Sequence, residues 1–132
     1  MEKPHKKLNV WKGAMKSAQM VYKITSTFPG DERFGLITQM RRAAVSIPCN
    51  IAEGAARQGK KEFRNFLSMA QGSLSELDTQ LELSVLLGYL GKDNLEEITS
   101  QLLGVDKMLT GLIRSLSVKP KEEQSKDTPS RD

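Results

Sequence analysis

Four amphipathic segments joined by short breaks predict an all-α fold, an antiparallel up-down four-helix bundle. Apolar residues recur three and four positions apart through most of the 132-residue chain, the period of a helix buried along one face. Proline and glycine fall between these segments. No strand candidate and no repeat of fixed period interrupts the pattern.

The first helix is expected over Leu8–Thr27. Leu8, Trp11, Met15, Ala18, Tyr22 and Thr25 form its apolar stripe. Lys12, Lys16, Gln19 and Lys23 form a polar row at steps of four, three and four, on one face. Phe28-Pro29-Gly30-Asp31 ends it. The second helix is expected over Glu32–Arg57, with Ile37, Met40, Ala44, Ile47, Ile51 and Ala55 inward. Its alanines at 43, 44, 52, 55 and 56 let a neighbour approach closely. Pro48 removes an amide donor, at about 3 kcal/mol in an ordinary helix interior. The apolar face stays in register beyond it, which predicts a kink at Ala44–Pro48, with Ser46 and Asn50 bonding the freed backbone groups.

The third helix is expected over Lys60–Leu87. Phe63, Leu67, Ala70, Leu74, Leu77 and Leu81 make a bundle seam, and Phe66, Met69 and Leu83 add a second apolar flank. The fourth has the cleanest pattern, Leu95, Ile98, Leu102, Val105, Leu109, Leu112 and Leu116, with Asp93 as its cap. These readings divide the chain into a flexible arm at 1–7, the bundle at 8–118 and a disordered, wholly polar tail at 119–132.

Composition narrows the function classes. No apolar run approaches the roughly 20 residues that span a bilayer, and Met1–Lys7 lacks the apolar core of a signal peptide. A cytoplasmic protein without a membrane partner is expected. Cys49 is the only cysteine and His5 the only histidine. The two are far apart, so a Cys–His pair is not expected, and Cys49 reads as a small buried residue. A di-metal bundle site wants histidines facing inward, and none lies in a predicted helix. No phosphate-binding glycine loop is present. No catalytic residue, metal or cofactor is assigned, and a non-enzymatic protein is expected.

Charge is uneven. Residues 1–64 carry 13 Lys/Arg against 5 Asp/Glu, and residues 65–132 carry 7 against 11. A polyanion partner for the first half, or charge-complementary packing between subunits, follows from that asymmetry. Arg57 has Glu53 four residues earlier and reads as a helical ion pair. Arg41 and Arg42 have no carboxylate three or four residues away. Lys60, Lys61 and Arg64 open the third helix, where positive charge opposes the helix dipole unless an anion binds. The candidate nucleic-acid-binding residues are therefore Arg41, Arg42, Lys60, Lys61 and Arg64, with the row Lys12, Lys16 and Lys23. Few aromatics accompany them, so contacts to phosphate rather than base stacking are expected.

The stretches Phe34-Gly35-Leu36 and Gln39 through Gly54, which includes Arg41-Arg42-Ala43-Ala44-Val45-Ser46-Ile47-Pro48-Cys49-Asn50, closely resemble a bacterial family. So do Lys61-Glu62-Phe63, Ala70-Gln71-Gly72-Ser73-Leu74-Ser75-Glu76-Leu77 and Gly88-Tyr89-Leu90. The family is the four-helix-bundle proteins encoded in 23S ribosomal RNA intervening sequences, and the likeness covers roughly residues 8–116. Cys49 stands where that family often has serine. The resemblance implies a homopentameric ring and a relation to accessory variability proteins of diversity-generating retroelements, which bind nucleic acid and a reverse transcriptase. Two functions are thus expected for the oligomer: nucleic-acid binding through a basic surface or, alternatively, an adaptor role beside a reverse transcriptase.

Overall fold

The computed structural model describes residues 1–117; the tail expected at 119–132 lies outside them. Four helices follow in order: α1 (Asn9–Thr25), α2 (Leu36–Ala55), α3 (Lys60–Leu86) and α4 (Lys92–Ser117). Each packs on its two neighbours, α1 on α2, α2 on α3, α3 on α4 and α4 back on α1, and the backbones of the diagonal pairs stay apart. Ser46 of α2 bonds Ser73 of α3, and Gly54 meets Phe63 and Phe66. Gln101 Nε2 of α4 donates to the carbonyl of Gly13 in α1 at 3.0 Å. These pairings run in opposite directions along the chain, so the bundle is antiparallel, up-down-up-down. No helix among the described residues is long and apolar enough to cross a membrane.

The core seams of α2, α3 and α4 follow the predicted spacing. Ile37, Met40, Ala44, Ile47 and Ile51 are buried, as are Leu67, Ala70, Leu77 and Leu81, then Ile98, Leu102, Val105 and Leu109. Helix α1 differs. Its buried residues are Val10, Ala14, Ser17, Ala18, Val21 and Thr25, so the seam keeps Ala18 and Thr25 of the expected stripe and otherwise runs through Val10, Ala14, Ser17 and Val21, while Leu8 and Trp11 pack on its margin half-buried. Met15 and Tyr22 are 46% and 45% exposed. Helix α4 comes close to α1 at Gly13, where a Cβ would sit 3.2 Å from Met108 Cε and 3.3 Å from Val105 Cγ2.

Helix boundaries shift for local reasons. The expected start of α2 at Glu32 gives way to a separate 3-10 turn at Gly30–Glu32, and α2 begins at Leu36. Asp93 lies inside the first turn of α4 instead of capping it. Pro4–Lys7 of the expected arm form another 3-10 turn, and the His5 ring meets Trp11 edge-on at 5.1 Å. Helix α2 runs through Pro48 without a break. Asn50 Nδ2 donates to the carbonyl of Ser46 at 2.9 Å, and the Ser46 hydroxyl bonds Ser73. Neither therefore serves the carbonyl of Ala44, the one Pro48 deprives of its donor. Cys49, expected buried, is exposed, because Ile47 and Pro48 take the inward positions and the next residue turns about 100° outward.

The two loops at the far end of the bundle are joined by side chains. Gly88 has φ +80°, and Tyr89 N and Gly88 N donate to the carbonyls of Ser84 and Val85 at 2.9 and 3.0 Å. This glycine-dependent C-terminal motif closes α3. It presents Tyr89, whose hydroxyl donates to Glu32 Oε2 at 3.0 Å. Glu32 Oε1 in turn accepts from Leu36 N at 3.2 Å, at the positive start of α2. The bond to Glu32 raises the Tyr89 phenol above its ordinary value, with desolvation adding to it.

Candidate nucleic-acid interface

In an up-down bundle α1 and α3 begin at the same end, where α2 and α4 finish. Lys60 and Lys61 open α3 there, directly after Gly59 in extended conformation, and no side chain caps the helix. Both lysines are exposed. Lys6 and Lys7 of the N-terminal turn and Lys12 in the first turn of α1 occupy the same end. Arg57 pairs with Glu53 at 3.7 Å, as the spacing predicts, and its guanidinium lies 4.9 Å from the Phe66 ring centroid. This is the one ion pair among the described residues.

Arg64 differs from its lysine neighbours. Its Nη1 donates to the carbonyl of Leu116 at 2.8 Å, placing positive charge at the negative end of α4. A structural bond thus occupies part of a guanidinium read from the sequence as free for an anion.

Arg41 is engaged in a similar way. Its Nε donates to Thr25 Oγ1 at 2.9 Å and its Nη2 to the carbonyl of Tyr22 at 3.3 Å. The Thr25 hydroxyl in turn donates to the carbonyl of Val21 at 2.7 Å. The guanidinium also lies 4.5 Å from the Tyr22 ring centroid, a cation–π stack. Arg42 beside it is exposed. Together with Tyr22, Thr38, Val45 and Ser46, the two arginines line an open cleft of ≈ 510 Å³ between α1 and α2.

Helix geometry separates residues that look adjacent along the chain. From Arg42 to the end of α2 at Ala55 the rise is about 20 Å, so Arg41 and Arg42 sit well away from Lys60 and Lys61. The row Lys12, Lys16 and Lys23 spreads about 16 Å along α1. Lys12 lies toward the Lys60 end, and Lys23 stands beside Tyr22. Lys16 lines a groove against α4 with Met20, Glu97 and Gln101. Two basic regions therefore exist, a lysine-rich end and an arginine cleft. The residue that sequence reasoning missed is Tyr22, assigned to the core because its spacing fits the expected apolar stripe. The signal for it was Val21 and Ala14, which widen that stripe in the direction the true seam takes.

No curated protein matches the chain. A crystal structure of a protein of unknown function from the S23 ribosomal protein family of Bacteroides thetaiotaomicron is similar in fold. It has TM-score 0.72 and 24% identity, and the match covers 80% of this chain and 95% of that one. The family described as 23S rRNA-intervening sequence protein matches residues 6–111. With most of the bundle inside that match, and the four helices in place, the chain belongs to the 23S rRNA-intervening sequence protein family.

Proposed function

We propose that this protein is a non-enzymatic, oligomeric nucleic-acid-binding bundle that holds RNA or DNA mainly by its phosphates. The observation that carries this reading is the lysine-rich end. Lys60 and Lys61 are exposed and have no carboxylate partner among the described residues. They share their end with Lys6, Lys7 and Lys12. Unpaired lysines release counterions when they meet a phosphate backbone, so binding falls steeply with salt. A homopentameric ring, as the resemblance implies, repeats the patch and adds weak contacts through multivalency.

The test is Lys60→Gln with Lys61→Gln, leaving Arg64 in place because it bonds α4. Fluorescence anisotropy across a salt series reads the result. The double variant should bind all sequences more weakly and lower the slope of log K against log salt by about two. Equal binding by parent and variant at one ionic strength would sink the assignment.

One observation favours the adaptor reading, in which the partner is a protein such as a reverse transcriptase. Phe34 and Leu86 are 93% and 84% exposed, at the end where α2 begins and α3 finishes. Two large apolar side chains exposed at one end give a protein partner apolar area to bury. Phe34→Ser with Leu86→Ser should abolish association with that partner and leave the salt-dependent binding unchanged.

A further inference from the structure

We propose that the cleft between α1 and α2 receives one unstacked base of a single-stranded nucleic acid, with the base on Tyr22 and its phosphate on Arg42. This rests on the nucleic-acid reading above and names the form of nucleic acid the protein prefers. Tyr22 is the only aromatic residue lining the cleft, and the residue is 45% exposed.

The cleft is preorganised. Arg41 is held by two hydrogen bonds, at 2.9 and 3.3 Å, and stacks at 4.5 Å from the Tyr22 ring. A ring and a guanidinium fixed against each other offer adjoining planar surfaces, on which a base can stack. Val45, 37% exposed, adds apolar lining. Arg42 is exposed, has no ion pair and follows Arg41 directly, so its guanidinium is available for bidentate contact with phosphate. The volume of ≈ 510 Å³ suits a nucleotide unit. A duplex keeps the faces of its bases stacked and cannot offer one to a side chain in a cleft. The lysine-rich end makes no such distinction, because phosphates are common to both forms.

The experiment compares a short oligoadenylate strand with a duplex of equal length, on the full chain, by anisotropy. Tyr22→Leu keeps the Tyr22 carbonyl and the Thr25 hydroxyl that anchor Arg41, and a helical spectrum checks its fold. Tyr22→Leu should lose roughly tenfold in affinity for the single strand and less than twofold for the duplex. Tyr22→Trp should restore the single-strand affinity. Arg42→Gln should lower the salt slope for the single strand by about one. The proposal is overturned if Tyr22→Leu binds the single strand as tightly as the parent. If the Lys60/Lys61 double variant is still weakened in that case, the general nucleic-acid reading stands alone. Absence of binding by the parent to both forms at low salt removes both.

Discussion

The two ends of the bundle are closed by different means. Where α2 starts and α3 finishes, side chains bridge the loops: Tyr89 reaches Glu32, Glu32 reaches the amide of Leu36, and the Phe28 and Tyr89 rings meet at 5.5 Å. Where α2 finishes and α3 starts, the two helices come close at a glycine. A Cβ on Gly54 would lie 2.8 Å from Phe63 Cδ1 and 2.8 Å from Phe66 Cβ. The first end ties Glu32 and Tyr89 together, while the second leaves Lys60 and Lys61 to water. Arginine and lysine divide accordingly. Arg41 and Arg64 bond carbonyls in the last turns of α1 and α4, and Arg57 pairs with Glu53. A planar fork can hold a carbonyl and still pack its face on a ring, which a compact ammonium cannot.

The largest effect expected from breaking this contrast is at Gly54. Gly54→Ala should cost about 2 kcal/mol in chemical denaturation, overpacking outweighing the better helix propensity of alanine. Its control is Gly72→Ala in the middle of α3, where an added Cβ meets nothing within 4 Å. That change should gain about 0.5–1 kcal/mol from propensity alone. Equal effects at the two glycines would mean that the α2–α3 approach is not tight.

Removal of the α4 cap comes next. Arg64→Gln should cost about 1 kcal/mol, from the lost charge-assisted bond and the dipole contact. Amide exchange should quicken in the last turn of α4 and not at the Tyr89 end. A loss spread evenly over both ends would show that the bond is not local.

The smallest effect belongs to the bridged end. Tyr89→Phe should lower the thermal midpoint at neutral pH by less than Gly54→Ala does. The phenol's value is raised in the folded protein. Its contribution is therefore complete below 10.0, the ordinary tyrosine value, and is lost as pH rises through the folded value. The gap between parent and variant should narrow on alkaline titration. A gap that widens with pH would mean that the hydroxyl does not donate to Glu32.

Most of the architecture was legible because helix burial has a period, and periods are local. The seam Ile98, Leu102, Val105 and Leu109 needs no knowledge of its partner. In α1 the same method put Tyr22 and Met15 inward, because hydrophobicity favours large residues, whereas the seam takes the smaller Ala14, Ser17 and Val21. The candidate site was less legible still. That Arg41 meets Thr25 and Arg64 meets Leu116 depends on separations of 16 and 52 residues, which no window of sequence contains. Arg41 and Arg42 lie near Lys60 in sequence and well away from it in the fold, since a helix carries its two ends apart at 1.5 Å per residue.

The contact between Gln101 and Gly13 bears on how such a chain finds its shape. Three of the four seams join helices that follow one another, and the Ser46–Ser73 pair spans 27 residues. The fourth joins the first helix to the last, and the Gln101–Gly13 bond spans 88. Entropy of loop closure grows only with the logarithm of length, so the longer loop costs about 1 kcal/mol more than the shorter. Three hairpins can thus assemble from neighbours, and a single long-range docking of α4 on α1 then makes the circuit complete.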